Sequence, residues 1–557
     1  NADGTVVQYH QLAENVWDPD KGCAVAKVVY NFGRADDLDR AALQRLARSI
    51  TRVFGGEGDT VAEAPPADLR VVDSWPYGGM YVVEALWEAL GIPGVITAHL
   101  ARQHSRQPFE RALLAMVANR CLRPYSKLSC HEQWLEDEVF FPAHADLDLH
   151  HLYRAMDFYE AHKEAIEQAI YFRVADLLNV DVDLIFYDTT SLHCEIDEED
   201  QAAPRGTVRA AHHVYPPLRQ YGHSKNGRTD VPQLVVGLAV TRDGLPVRSW
   251  VFPGNTTDVT TIERVKADLR GWRLNRCVFV GDAGMNSEEN RRTLALGGGK
   301  YILAARLRAG DEVTTDVLTR CGRYREVARN LHVKEVVVGD GERRRRYVVC
   351  FNPQEAERQR RHRATVLEDL KAALAGEPRT GRRSRHTRQM CSLLTSLRYR
   401  RYLRETPRGL LRIDRARVAE EAKLDGKWVV TSNDDTLSAE DLALGYKQLM
   451  RVEECWRTMK SGLRTRPLYH WRPHRISAHV SLCVLALLLE RVAEIRVGDT
   501  WRNILAQLDT VKVVEYERGE ARIRQTTEIR PAVADLLKRL QIPLPPKLHR
   551  VEAVESA

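Results

Sequence analysis

The run VDLIFYDTTSL, Val182 to Leu192, is almost continuously apolar until it meets an acid, Asp188. Apolar residues in an unbroken run, rather than in alternation, mark a strand covered on both faces. Outward from it, QLVVGLAVTRDGLPVRSWVFPGN (Gln233–Asn255) reads as two further strands joined by a turn at Asp243 and Gly244. TTIERVKADLRGW reads as a helix, and RCVFVGDAG (Arg276–Gly284) as a second buried strand ending on an acid, Asp282. NSEENRRTLALGG then gives a helix and KYILAARL a strand. This β-β-β-α-β-α-β order predicts an α/β architecture, a mixed sheet flanked by helices.

Upstream, apolar residues recur at three and four from Tyr81 to about Leu178, as in FERALLAMVANRCL, which predicts a helical region. Before it stand a hairpin (TVVQYHQLAENVW and AVAKVVYNFG), a short helix (DDLDRAALQRLARSITRVF) and a linker, GGEGDTVAEAPPADL. Downstream, short strands and basic helical runs interrupt the pattern until KWVVTSND restores a strand. SAEDLALGYKQLMRVEECWRTMKSGL then predicts one long helix and HRISAHVSLCVLALLLERVAEI another. A chain of 557 residues, 44% of them hydrophobic, has room for about three to five units. The expected units are 1–65 (hairpin and helix), 66–180 (helical), 181–308 (first part of the α/β domain), 309–425 (basic insertion), 426–497 (second part) and 498–557 (tail).

Lys and Arg total 83 against 76 acids, a net charge of +7 that points to no partner by itself. The distribution says more: basic residues crowd GERRRRYVV, ERQRRHRATV, GRRSRHTRQ and RYRRYLRETPRGLLRIDRAR between Arg343 and Arg417, a footprint suited to a phosphate backbone. A solvated arginine-rich surface is the competing reading. Ten cysteines without a regular framework, several inside apolar runs, predict reduced, buried thiols in the cytosol. The longest apolar run, VSLCVLALLL, is about half a bilayer span, so no membrane is expected. The chain opens on Asn, which suggests a few residues missing from the natural start.

Asp188 and Asp282 share an address, the carboxyl end of a buried strand, where sites of α/β sheets collect. Either alone reads as well as a turn or cap residue. Helix geometry supplies a third acid. At about 100° per residue from Leu442, residues Cys455, Met459, Val452, Leu463, Trp456 and Leu449 fall on an arc of about 220° to 340°. Ser461, Glu454, Lys447, Thr458 and Arg451 fall between about 100° and 180°. Tyr446, Glu453 and Lys460, seven apart, form a stripe at the border of the apolar arc. Glu453 reads either as the surface partner of Arg457 or as an acid reaching into the cleft beside the two aspartates.

Three carboxylates around a cleft suit a hard cation such as Mg²⁺ completed by substrate phosphate, and two such ions suit in-line phosphoryl displacement. Lys460 and the basic insertion would hold the negative substrate. Metal-dependent nuclease or strand-transfer chemistry on DNA fits these parts.

The element order, with acids after the first and fourth strands and a third on a late helix beyond an insertion, resembles the RNase H-like catalytic domain of DDE transposases. YKQLMRVEECWRTMK resembles the tyrosine, arginine, glutamate, lysine signature of the bacterial insertion-sequence-four group, with Tyr446, Glu453 and Lys460 on its first, third and fourth positions. GHSKNGRTDVPQLVVGLAV, VFPGNTTD, GDAGMNS and SGLRTRPLYHWRPHRISAHVSLCVLAL resemble its large-insert relatives. The signature's arginine falls on Leu449, leaving Arg451 and Arg457 as nearby basic candidates. The resemblance implies that Asp188, Asp282 and Glu453 bind two Mg²⁺ or Mn²⁺ ions and that Tyr446 and Lys460 contact transposon-end DNA. It implies that the N-terminal helical region recognises terminal inverted repeats and that a homodimer synapses two double-stranded ends before joining them to target DNA. It also implies a nucleoid-associated bacterial protein. Relatives that form hairpins use a tryptophan in the insertion; this insertion has none, and Trp456 and Trp471 lie outside it.

A catalytically silent DNA-binding protein on the same fold is the alternative, favoured by loss of a carboxylate; all three are present. A zinc protein using His193, Cys194, His212, His213 and His223 has ligand types without a standard spacing. His223 and Lys225 read better as DNA contacts, and Asn255 and Asp258 as turn and helix-cap residues, with lining of the site as their second option.

Overall fold

The computed structural model describes residues 9–18, 23–34, 69–178, 183–201, 209–210, 213–225, 227–274, 277–308, 312–375, 388–407 and 410–553. The helix expected at 36–54, nearly all of the linker that follows it, and most of GRRSRHTRQ lie outside them. Two compact units result: residues 1–71, 516–522 and 553–557 form one, and 72–515 with 523–552 the other. In the first, Tyr9–Asp18 and Cys23–Arg34 pair as an antiparallel hairpin with two register shifts.

The larger unit begins with a helical layer: α1 (Gly78–Ala89), α2 (Ile92–Arg102), α3 (Phe109–Leu122), α4 (Leu149–Ala161) and α5 (Lys163–Leu177). Its sheet has nine strands, β1 (Leu184–His193), β2 (Gln233–Val240), β3 (Pro246–Pro253), β4 (Val278–Gly281), β5 (Lys300–Ala305), β6 (Arg325–Ala328), β7 (Leu331–Val338), β8 (Arg345–Phe351) and β9 (Lys427–Ser432). They lie in the order β6-β7-β8-β9-β5-β4-β1-β2-β3. β1, β4 and β5 run parallel to one another, and every other neighbouring pair is antiparallel.

The period of two along β1 sends Leu184, Phe186 and Leu192 into one core and Ile185 and Tyr187 into the other. The second core is closed by α6 (Asp258–Gly271), through Ile262, Val265, Leu269 and Trp272, and α7 (Glu288–Ala295) packs on α6. Over the first face lie α9 (Ala439–Lys447), α10 (Met450–Arg457) and α11 (Pro473–Val497), with α8 (Pro353–Ala375) in the insertion. Each fully buried Phe or Leu here is worth about 1.5–3 kcal/mol of transfer free energy.

Three findings revise the expected partition. The insertion does not stand apart: its strands β6, β7 and β8 extend the nine-stranded sheet through β9, and only 353–423 builds its own small core around Val366, Leu370, Met390 and Tyr402. The C-terminal region is no tail. Trp501, Ile504 and Leu508 join the core of the helical layer, and Tyr77 and Gly78 donate backbone hydrogen bonds to Val511 O at 3.0 and 3.1 Å. Helix α11 is longer than its apolar run suggested, 25 residues, and apolar enough to cross a membrane by length and composition. Of its apolar window 94% is buried inside the protein, where it packs on α3, α4 and β3.

Candidate metal and nucleic-acid site

Parallel pairing builds the site. Leu184, Ile185 and Phe186 on β1 stand opposite Val278, Phe279 and Val280 on β4. Two more steps along each strand bring Asp188 beside Asp282, on strands about 4.8 Å apart and on the same face as Phe186 and Val280. That face is the one α10 covers, packed on β1 and β2. Gly445 lets α9 approach: a Cβ there would stand 3.3 Å from Ile302. Glu453 projects from α10, exposed and with no ion pair to Arg457 among the described residues. Glu454 pairs instead with Arg451 at 3.0 Å.

The phenol of Tyr446 reports the convergence. Burial raises it above the ordinary tyrosine range, and the carboxylates of Asp282, Glu453 and Asp188 raise it further. The aspartates are strained electrostatically themselves. Asp188 is pushed up to about 6, first by burial and then by Asp282 and Asp258, against the pull of Lys225. Asp282 is raised by burial and Asp258, against the same lysine. Lys460 is half-buried and lowered by burial and Arg466, with Asp188 opposing.

The predicted wheel holds in its burial: Cys455, Met459, Val452, Leu463, Trp456 and Leu449 are all buried. The single long helix does not. Gln448, Leu449, Arg451 and Val452 donate to carbonyls three residues back, a tight turn between α9 and α10, and Thr458–Gly462 widens into a π segment closed by Leu463 N to Thr458 O at 3.0 Å. Constant rotation per residue therefore fails across the stripe. Glu453 is also the more exposed of the two glutamates.

Sequence reasoning undervalued Asp258. It opens α6, takes the hydroxyl hydrogen of Thr189, and meets Lys225 Nζ at 3.0 Å. A Cβ on Gly284 would lie 3.2 Å from Asp258 Oδ2 and 3.1 Å from Asp282 Oδ1, so the two carboxylates flank one glycine. The signal lay in VFPGNTTD: an acid heading a helix directly after the strand two places from β1. Lys225, expected to touch DNA, stands beside the acids. Its Nζ donates to Thr189 O at 2.9 Å and Oγ1 at 2.7 Å and stands 3.8 Å from Asp188. His223 is exposed.

The donor set fits a divalent cation: it is all oxygen, its two aspartates are raised by burial and then by neighbouring acids, and an ammonium already attends it. Among the described residues, only Asp148, His150 and His151 bring three ligating atoms within 4.8 Å of one another, so the site's acids stand open rather than closed. The zinc reading finds no support. Among the described residues His193, Cys194 and His223 do not bring three ligating atoms within 4.8 Å of one another, and His212 lies outside them.

The basic footprint is also smaller than its composition. Arg358, Arg360 and Arg361 pair with Glu355 or Glu357, Arg346 with Glu335, Arg344 with Asp435, Arg398 with Asp369 and Arg363 with Asp425. Arg451 is engaged by Glu454, and Arg457 is exposed.

Residues 196–489, more than half of the chain, match the family described as the transposase DDE domain. The chain is a DDE transposase. Its residues 1–61 match the N-terminal domain of IS1634 family transposases. Asp188 lies just ahead of the DDE-domain match, whereas Asp282 and Glu453 lie inside it. A piggyBac transposase, solved by cryo-electron microscopy as a synaptic complex with hairpin DNA, is similar at 8% identity and a TM-score of 0.33, over 77% of this chain and 79% of that one. No curated protein matches the transposase. The family works with divalent metal ions.

Proposed function

We propose that this transposase binds the terminal inverted repeats of an insertion sequence and catalyses metal-dependent cleavage and strand transfer of double-stranded DNA, as a homodimer that synapses two ends in the bacterial cytoplasm. The observation that carries the reading is the parallel register that delivers Asp188 and Asp282 to one face beneath Glu453, with all three charges bearing on Tyr446. Asp188, Asp282 and Glu453 would hold two Mg²⁺ or Mn²⁺ ions, which when bound activate the attacking oxygen and stabilise the leaving one. Asp258 orients Thr189 and Lys225, and holds the lysine against the aspartates. Tyr446 at the end of α9 and Lys460 in the π segment after α10 orient the backbone of the transposon end next to the cut. Arg457, exposed on α10, and His223 and Lys225 from the loop before β2, are the further DNA contacts of this reading; Arg451 is the weakest because Glu454 occupies it. The helical layer α1–α5 would read the inverted repeat.

The test is cleavage of labelled transposon-end DNA with Mg²⁺ by the intact protein, Asp188→Ala and Glu453→Ala. Cutting only by the intact protein is expected. Equal cutting by all three would sink the proposal, and binding by all without cutting would favour a catalytically silent DNA-binding protein.

A further inference from the structure

Away from the carboxylates, a cavity of about 430 Å³ opens between the end of α3, the turn Lys127–Ser129 and the loop that follows Lys460. Arg120, Lys127, Arg464, Arg466, His470 and His479 line it, and its lining contains no carboxylate. Lys127 is 3% exposed, and its Nζ has no hydrogen-bond partner among the described residues. Arg120 is also buried; it donates its Nη1 to the carbonyls of Leu463 and Arg464 at 3.4 and 3.3 Å and its Nη2 to the carbonyl of Tyr125, and leaves Nε unpartnered.

A buried ammonium without a counter-charge is strongly unfavourable, and a neighbouring guanidinium makes it worse. Burial and then Arg120 lower Lys127 to about 7, and the same two cations, after burial, push His470 down to about 3. Only the thiols of Cys130 and Cys483 oppose the Lys127 shift, and no carboxylate opposes either. An anion in the cavity supplies what the protein lacks. Arg464 and Arg466 on the loop offer the forked donors that suit phosphate, Arg120 adds its free Nε, and three permanent cations with Lys127 beside them outnumber the charge of a single carboxylate.

We propose that this cavity is a binding site for a dianionic phosphate group, with Lys127 and Arg120 at its floor and Arg464 and Arg466 at its rim. The group comes either from the phosphorylated end of a DNA strand or from free phosphate. Only the first source rests on the DNA-cleavage reading.

Thermal unfolding of the full chain, with inorganic phosphate titrated at constant ionic strength in chloride, tests the site without metal or cleavage. Saturable stabilisation of the wild type, lost in Lys127→Met and weakened in the exposed Arg464→Gln, is the expected result. Lys127→Met should fold and melt higher than the wild type in chloride alone. Absence of saturable stabilisation, or the same stabilisation in wild type and Lys127→Met, overturns the proposal. In EDTA, single strands with a 5′-phosphate or a 5′-hydroxyl separate the sources. A preference of about tenfold for the phosphorylated strand, lost in Lys127→Met, assigns the strand end; equal binding with the phosphate effect intact assigns the free ion.

Discussion

The carboxylates around Asp188 and the cavity around Lys127 are both charged sites left unbalanced, and they are unbalanced in different ways. At the sheet end the excess is negative, and the protein brings its own partial answer: Lys225 stands 3.0 Å from Asp258 and 3.8 Å from Asp188. At the cavity the excess is positive, and the lining carries no acid. The first site is one displaced lysine away from accepting a metal; the second is a pocket whose counter-charge has to arrive from outside. Like charges gathered at buried positions cost stability, so a counter-charge bound at either place would stabilise the fold.

The largest effect that could break this comparison is catalytic. Asp188→Asn, Asp282→Asn and Glu453→Gln should each lower cleavage of labelled end DNA by about 10³-fold or more, several kcal/mol of lost stabilisation, with DNA binding retained in a gel-shift assay. Wild-type cutting by any of them removes that carboxylate from the site.

Next comes pH. Lys127 is held at about 7, below its ordinary 10.5, so the folded protein gives up this proton before the unfolded chain does. Its stabilising contribution is full above about 10.5 and is lost as pH falls towards about 7, levelling below. The stability of the wild type relative to Lys127→Met, from urea unfolding without phosphate, should therefore fall by a few kcal/mol over that window. A flat difference would mean that the ammonium already has its counter-charge.

Smaller again, Lys225→Met should cost the EDTA-treated protein about 1 kcal/mol, since the pair is partly exposed, and Mg²⁺ should recover most of it in a thermal melt. If Mg²⁺ stabilises wild type and variant equally, the ammonium and the ion do not compete. The smallest change is Glu454→Gln. Its exposed pair with Arg451 is worth about 0.5 kcal/mol or less, and cleavage should stay at the wild-type rate, separating it from the adjacent Glu453.

Much of this was legible in the chain because it depends on patterns of short period. Unbroken apolar runs ending at Asp188 and Asp282 marked two buried strands, whose parallel pairing only the structure shows, and the apolar arc of α9 and α10 marked the buried set from Leu449 to Leu463. What the pattern could not carry were non-local or non-periodic effects. The tight turn at Gln448 and Leu449 is a matter of backbone hydrogen bonding inside a sequence that reads as regular helix. Asp258 looked like a cap because it stands in the first turn of α6, one residue after the N-cap Thr257; only tertiary packing, through Thr189, Lys225 and Gly284, adds it to the acids. The basic insertion looked like a field of free charge because the acids that pair with it are scattered over the sequence, as Asp425 with Arg363 and Asp435 with Arg344.

Strand β9 has a consequence for anyone recutting this gene. It enters the sheet only after the insertion, yet one edge is bonded to β5, Ile302 opposite Ser432, and the other to β8, Arg346 opposite the same Ser432. Excising the inserted segment at its ends would strip β9 of one partner and bare a row of unpaired amides and carbonyls along Val429 and Thr431, an invitation to strand-to-strand aggregation. The insertion is stitched in, so a transplantable cassette would have to begin beyond β8.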